Sequence, residues 1–327
     1  MSIRVILYYT TLFLAIAAGS SAAAAFEKIV SVSPYMKSCW RLQLTALFQF
    51  IPGFFECFNN WQESKQMIIR FWPVSRISGI CLAALFCLWC VSLNLTSVSH
   101  SLLFLSASPL VIVAIFFFKC EKISVFEILG VAVGFLGLSV CIFESKGSES
   151  SSWYGDALAF GCAIALAIYI LINKTVMTSE APLWTYLAIV NLQAAIISYI
   201  CALISGDEPI AGIQWIYTDD WLMAMYLGLI PGALGNAAFT HLIKHIPALV
   251  ISVFMNFQPL IGSFIGWCVG IEGIPSIYTW MGGIIVIIGN TIVSISSARN
   301  RKTDKRQLLK GKNELAMPLV DFKSIKV

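Results

Sequence analysis

The residues best placed to do chemistry in this chain are two prolines with polar neighbours inside apolar runs. Ser106 and Ser108 precede Pro109, and Asn256 and Gln258 precede Pro259, the two prolines lying 150 positions apart. A proline inside a helix removes one backbone hydrogen bond and leaves a carbonyl free. In hydrocarbon such a break is tolerated only where protein or a watery cavity satisfies the freed groups. The pattern predicts a polar pocket within an apolar body that holds a small solute by hydrogen bonds. Ser106, Ser108, Asn256 and Gln258 are its expected substrate-binding side chains, and Pro109 and Pro259 its helix breaks and gating bends. The competing reading is that these side chains only bond to neighbouring helices.

Arg41 lies about seven residues into another apolar run, roughly 10 Å along a helix. A cation at such depth is a functional-site hypothesis by default. It either meets a solute anion or snorkels outward. Asn94, Trp89, Tyr169 and Asn236 are further candidates for polar and aromatic walls of a substrate site, and Asn236 beside Gly235 also suits close helix packing. Asn191 and Gln193 read as helix-to-helix bonds. No carboxylate is expected at mid-membrane: Glu127 and Asp156 fall near span ends, and His100, His241 and His245 at helix ends. A carboxylate relay for proton or sodium coupling is therefore missing, which favours facilitated diffusion or exchange. An intramembrane enzyme would need a nucleophile with a base, or metal ligands, and no such set is expected. The ten cysteines are scattered without metal-ligand spacing and read as packing residues. No cofactor is expected.

The elements that must position these groups follow from composition. Apolar residues make up 58% of the 327, charged residues 12%, and mean hydropathy is +0.83. Soluble domains carry about 45–50% apolar and about 25% charged residues, so this is an integral membrane protein. About ten spans are expected, near 5–26, 34–55, 77–95, 98–118, 123–143, 154–172, 183–204, 221–241, 247–270 and 277–297, with a polar loop over 56–76. The first could pass for a signal peptide, with Ala22 to Ala25 as cleavage site, but its retention completes a repeat. Ser108-Pro109, Glu121, Gly130 and Gly137 recur as Gln258-Pro259, Glu272, Gly282 and Gly289. The expected organisation is a five-helix repeat over 1–143, a linker over 144–153, a second five-helix repeat over 154–297 and a basic tail over 298–327.

Most Lys and Arg, among them Arg4, Lys65, Arg70, Arg76, Lys174 and the basic tail, fall on one side if both termini are cytoplasmic. Five spans per half then give inverted repeats, an arrangement common in secondary transporters. Two five-helix halves, each with a proline helix, a charged turn bearing glutamate and a glycine-striped helix, resemble the drug/metabolite transporter superfamily, nearest to its EamA-like permease branch. Thr96 to Ser99 and Gly155-Asp156 add to the match, whereas Lys119-Cys120 stands where a small residue usually precedes the glutamate. The resemblance implies an all-α membrane protein of ten transmembrane helices, in two inverted five-helix repeats around a central cavity. It also implies alternating-access transport of a small solute.

Because Arg41 is the one cation expected at depth, a neutral or zwitterionic metabolite such as an amino acid is the expected cargo. A nucleotide-sugar or organophosphate antiporter of the same superfamily, and a non-transporting receptor or structural protein, stay open. The expected partners are the solute and the lipid bilayer. A sorting adaptor and a second copy of the chain are further candidates, and nothing points to nucleic acid. In the tail, Asp304, Leu308 and Leu309 form an acidic dileucine pattern that fits a sorting signal, and a solvated basic tail near anionic lipid explains the same stretch. The plasma membrane and an endosomal or vacuolar membrane are equally compatible.

Overall fold

An apolar run of about 20 residues can satisfy its backbone in lipid only by closing a helix. The computed structural model describes residues 3–59, 61–118, 124–145, 152–179, 181–242, 257–271, 273 and 277–315, and every regular element among them is helical. These are α1 (Ile3–Lys28), α2 (Pro34–Asn59), α3 (Trp61–Leu93), α4 (Val98–Leu105), α5 (Ser108–Phe118), α6 (Val125–Ser145), α7 (Trp153–Thr178) and α8 (Leu183–Ile204). A 3-10 segment, Pro209–Ile216, precedes α9 (Trp221–Leu227). The π-helical Gly228–Gly235 then joins α9 to α10 (Asn236–Leu242), followed by α11 (Gln258–Cys268) and α12 (Ile277–Leu315).

Among the described residues, six helices are long and apolar enough to cross a membrane: Ile6–Lys28, Ile68–Leu93, Val98–Phe118, Trp153–Thr178, Leu183–Ile204 and Trp221–Leu242. Val125–Val140 and Ile277–Val293 are shorter apolar helices. The 26-residue α2 carries Lys37, Arg41, Gln43 and Gln49, which makes it the most polar of the expected spans. Of the expected ninth span, residues 247–256 lie outside the described residues, as do Asn256, Glu121 and Glu272.

Three expectations about the elements are corrected. The stretch 56–76 is not a loop: α2 runs on to Asn59 and α3 starts at Trp61. Residues 61–70 are rich in Glu, Gln, Lys, Met and Arg, good helix formers whatever the solvent, so polarity there marks a helix leaving the lipid. Glu56, on α2, accepts hydrogen bonds from the Thr185 amide (2.9 Å) and hydroxyl (3.0 Å), and so caps the first turn of α8. The eighth span is not a plain helix but carries a π-helical stretch with Pro231 inside it. The helix of the tenth span does not end at Ser297; its backbone continues to Leu315 through a stretch rich in Lys, Arg, Gln and Leu. Asp304, Leu308 and Leu309 sit on that extension, and their side chains lie outside the described residues.

The helices pack in pairs drawn from both halves. α6 lies along α12, α2 along α8, α3 along α7, and α1 along α11 and the π segment. The glycine stripes are what let α6 and α12 meet backbone to backbone. A Cβ on Gly137 would stand 2.7 Å from the Val286 nitrogen and 2.8 Å from the Gly282 carbonyl. One on Gly289 would stand 2.5 Å from the Gly134 nitrogen. Small residues at such a seam are the usual means of close helix approach in lipid, where van der Waals contact replaces the hydrophobic drive. The main core runs through α1, α2, α3, α7 and α8, with Trp40 fully buried and its indole Nε1 donating to the Ala211 carbonyl at 2.7 Å.

Candidate functional site

The chain does break before Pro109. α4 stops at Leu105, Ser106 and Ala107 form a turn, and α5 begins at Ser108. The Ser106 carbonyl accepts from the Asn290 Nδ2 of α12 at 2.9 Å, and the Ser106 hydroxyl donates to the Leu103 carbonyl at 2.7 Å. Protein groups therefore satisfy this break. Ser106, Ser108 and Pro109 are buried among α4, α5 and their neighbours, outside the larger polar cavity described next. On the other side, α11 opens at Gln258-Pro259 and packs on α4. Gly262 faces Leu102, and the Ser263 hydroxyl donates to the Ser99 hydroxyl at 2.8 Å. α4 and α11 thus meet. Pro259, Ser99, Ser263 and Thr279 line a small cavity of about 40 Å³ between them.

The larger polar cavity, about 140 Å³, lies where α1, α2, α3, α7, α8, the π segment, α10 and α11 converge. By the room that one water needs, this holds about ten waters, or a solute of similar size. Of the sequence candidates it brings together Arg41, Trp89, Tyr169, Asn236 and Gln258. Asn94 lies apart, exposed in the turn after α3. A still larger concavity of about 580 Å³ is lined by Phe50, Phe54, Phe58 and Trp61 along α2, α3 and α8. Those four side chains are exposed and apolar, which suits lipid, so chemistry is sought in the smaller, polar cavity.

Arg41 dominates that cavity. It is 6% exposed, its guanidinium carbon lies 4.1 Å from the Phe86 ring centre, 5.5 Å from Phe26 and 5.9 Å from Trp89, and its Nη1 has no hydrogen-bond partner. It does not reach out of the protein as a snorkelling residue would. The rings of Phe26 and Trp89 meet edge to face at 5.5 Å and complete the enclosure. Each cation–π contact is worth about 0.5–2 kcal/mol, whereas taking a cation out of water costs several kcal/mol. The aromatic enclosure only partly offsets that cost.

The remaining walls are polar at a few points. The Tyr169 hydroxyl donates to Asn236 Oδ1 at 3.4 Å, and Asn191 Nδ2 donates to Gln49 Oε1 and to the Leu187 carbonyl, both at 2.9 Å. The Asn191–Gln49 bond ties α8 to α2, as helix-to-helix bonding requires. The π segment presents Pro231, Gly232 and Gly235 to the cavity. Its close approach to α2 needs glycine: a Cβ on Gly232 would stand 2.0 Å from the Thr45 hydroxyl oxygen, and that hydroxyl donates to the Gly228 carbonyl at 3.2 Å. π-bulges of this kind occur often at functional sites. The bulge turns Asn236 into the same space as Gln258.

The expectation that no histidine or carboxylate is buried is corrected. His100 and Asp156 are each about 1% exposed. His100 Nδ1 lies 3.4 Å from Asp156, whose Oδ1 accepts from the Thr96 hydroxyl at 2.7 Å, and His100 Nε2 lies 3.1 Å from the Thr279 hydroxyl. Both residues occupy first turns of helices, α4 and α7, which hydropathy marks as ends. The end of α12 and the turn after α3 cover them. Phe26 and Phe86 were also missed, because an aromatic residue in an apolar run carries no mark of its partner. No group of His, Cys, Asp or Glu among the described residues has the geometry to hold a metal.

Comparison with known proteins agrees with this architecture. Over 172 residues the chain is 24% identical to the uncharacterized transporter YwfM of Bacillus subtilis (strain 168), covering 51% of this chain and about half, 55%, of that one. It is 23% identical to the uncharacterized transporter YyaM of the same organism over 263 residues, 79% of this chain and 83% of that one. A protein of known crystal structure superposes with a TM-score of 0.62 at 17% identity, over 88% of this chain and 97% of its own, and so shares the fold. Residues 153–295, which supply Tyr169, Asn236 and Gln258 to the cavity, match the EamA-like transporter family. That match spans somewhat less than half of the chain and, with the apolar helices, agrees with a multi-pass membrane protein similar to this family.

Proposed function

We propose that this transporter moves a small neutral or zwitterionic, amino-acid-like metabolite through the polar cavity by alternating access. In this reading residues 1–143 and 154–297 are inverted repeats joined by 144–153, both termini are cytoplasmic, and the two repeats rock about a fixed site. The observation that carries the reading is the origin of the cavity's polar lining. Arg41 and Trp89 come from the first half, and Tyr169, Asn236 and Gln258 from the second, so any relative movement of the halves opens or closes the space between them. A nucleotide-sugar or organophosphate cargo fits less well. Buried phosphate wants several charge-assisted partners, and among the described residues Arg41 is the one cation in the lining.

The Asp156–His100–Thr279 chain has the order of a nucleophile relay, yet the adjoining cavity of about 40 Å³ holds only about three waters. Its position, spanning α4, α7 and α12, supports a latch between helices. The reading is tested by purifying the full chain, reconstituting it in liposomes and measuring counterflow of labelled amino acids and of UDP-sugars. Saturable amino-acid exchange that UDP-sugars do not inhibit is the expected result. Saturable UDP-sugar exchange would replace this cargo, and no flux of any solute would favour a receptor.

A further inference from the structure

The Arg41 guanidinium presents three features together. It is almost fully buried, its Nη1 has no hydrogen-bond partner, and it lines a cavity whose described lining residues include no carboxylate. A structural arginine at this depth would be expected to carry an acidic or carbonyl partner, because a buried charge without one is costly. Here the protein supplies only ring faces, from Phe86, Phe26 and Trp89. Those rings pack around the guanidinium and leave the Nη1 donors unused. The donors that remain form the planar fork that matches a carboxylate. Trp89 Nε1 is likewise buried without a hydrogen-bond partner and lines the same cavity.

We propose that Arg41 is the recognition group for one carboxylate of the solute, and that the cargo is a small monocarboxylate with an apolar or aromatic body. The inference rests on the cavity being the transport site and narrows the cargo from neutral or zwitterionic to carboxylate-bearing. A second negative charge would enter a space with no second cation among its described lining residues, so dicarboxylates are excluded by the cost of burying an unpaired charge. The body of the solute is set by the remaining walls. Ile16, Leu82, Leu85, Leu105 and Phe239 are apolar, and the volume admits about ten heavy atoms. Tyr169, Asn236 and Gln258 offer hydrogen bonds to a polar substituent.

The probes are benzoate, its neutral isostere benzamide and the dianion phthalate, all close to the cavity in size. Binding to the purified full-length transporter is read by Trp fluorescence, to which Trp89 beside Arg41 should contribute, and by calorimetry; flux is read in liposomes. Benzoate should bind saturably, with benzamide and phthalate at least about tenfold weaker. Arg41→Gln should lower benzoate affinity about ten- to a hundredfold, the range for loss of a charge-assisted bond, while leaving benzamide affinity unchanged. Arg41→Lys keeps the charge without the fork and should fall between the two. Equal affinity for benzoate and benzamide, or no benzoate binding at millimolar concentration, overturns the proposal. So does an Arg41→Gln protein that retains benzoate affinity. If Arg41→Gln does not purify as a monodisperse protein, Arg41→Lys and the benzoate-to-benzamide ratio of the parent decide the question alone. Benzoate bound through Arg41 but never carried across the bilayer would leave the anion site standing and sink transport. Amino-acid exchange unaffected by Arg41→Gln would do the reverse.

Discussion

At the scale of single residues, position in the folded chain separates side chains that looked alike in the sequence. Ser108 and Gln258 occupy equivalent places before their prolines, yet only Gln258 reaches the polar cavity. Gln258→Leu and Asn236→Ala should each weaken solute binding about two- to tenfold, as expected for one lost hydrogen bond of about 0.5–1.5 kcal/mol. Ser108→Ala should leave affinity within about twofold. Counterflow in liposomes gives the apparent affinities, and an effect of Ser108→Ala equal to that of Gln258→Leu would move the site to the α4–α5 break. His100 and Asp156 act at the same scale but on stability. Removing one partner of a buried hydrogen-bonded pair leaves the other unsatisfied at a cost of about 1–3 kcal/mol, so Asp156→Ala should lower the thermal midpoint of the detergent-solubilised protein. Asp156→Asn, which can still accept from Thr96, should lower it less.

At the scale of elements, the breaks and seams divide the work between motion and rigidity. Pro109 forbids the backbone bond that would run α4 into α5, and Asn290 occupies the Ser106 carbonyl that the break exposes. Pro109→Ala and Pro259→Ala should let the helices run straighter, so the variants should insert and fold, because a continuous ladder suits lipid. Transport should fall several-fold because the bend is part of the moving element. Variants that insert and transport at the parent's rate would show that neither bend gates the cavity. The α6–α12 seam is the rigid counterpart. Gly137→Val and Gly289→Val would drive side-chain carbons into backbone atoms under 3 Å away, and overpacking of this kind costs about 1–3 kcal/mol. The thermal midpoint should drop while the solute affinity of the surviving protein stays the same, since neither glycine touches the cavity.

At the scale of the whole molecule, orientation remains to be measured by experiment. Basic residues favour both termini in the cytoplasm. With Cys57 and the exposed Cys268 replaced by Ser, an impermeant thiol reagent added to intact cells should label a cysteine placed at Ser150 and not one placed at Ser324. Labelling only at Ser324 would invert the orientation.

What could be read from the sequence alone was whatever a solvent imposes on a chain. Low charge and long apolar runs determined an all-α membrane protein, because lipid accepts no other way of satisfying so much backbone. The recurrence of Ser-Pro as Gln-Pro, and of Gly130/Gly137 as Gly282/Gly289, is the ground on which a duplicated organisation is expected. Arg41 was conspicuous because a charge is rare at that depth. Tertiary structure alone decided what each polar group meets. The rings that enclose Arg41 of α2 come from two other helices, α1 and α3, and the spacing within any one of these helices is silent about the others. The π segment at Pro231 depends on how closely Gly228 and Gly232 can approach Leu44 and Thr45 of α2. His100 and Asp156 lie 56 positions apart, each at a helix end that hydropathy assigns to water. They are buried because the neighbouring helices close over them, and burial is a property of the assembled bundle rather than of any one stretch of chain.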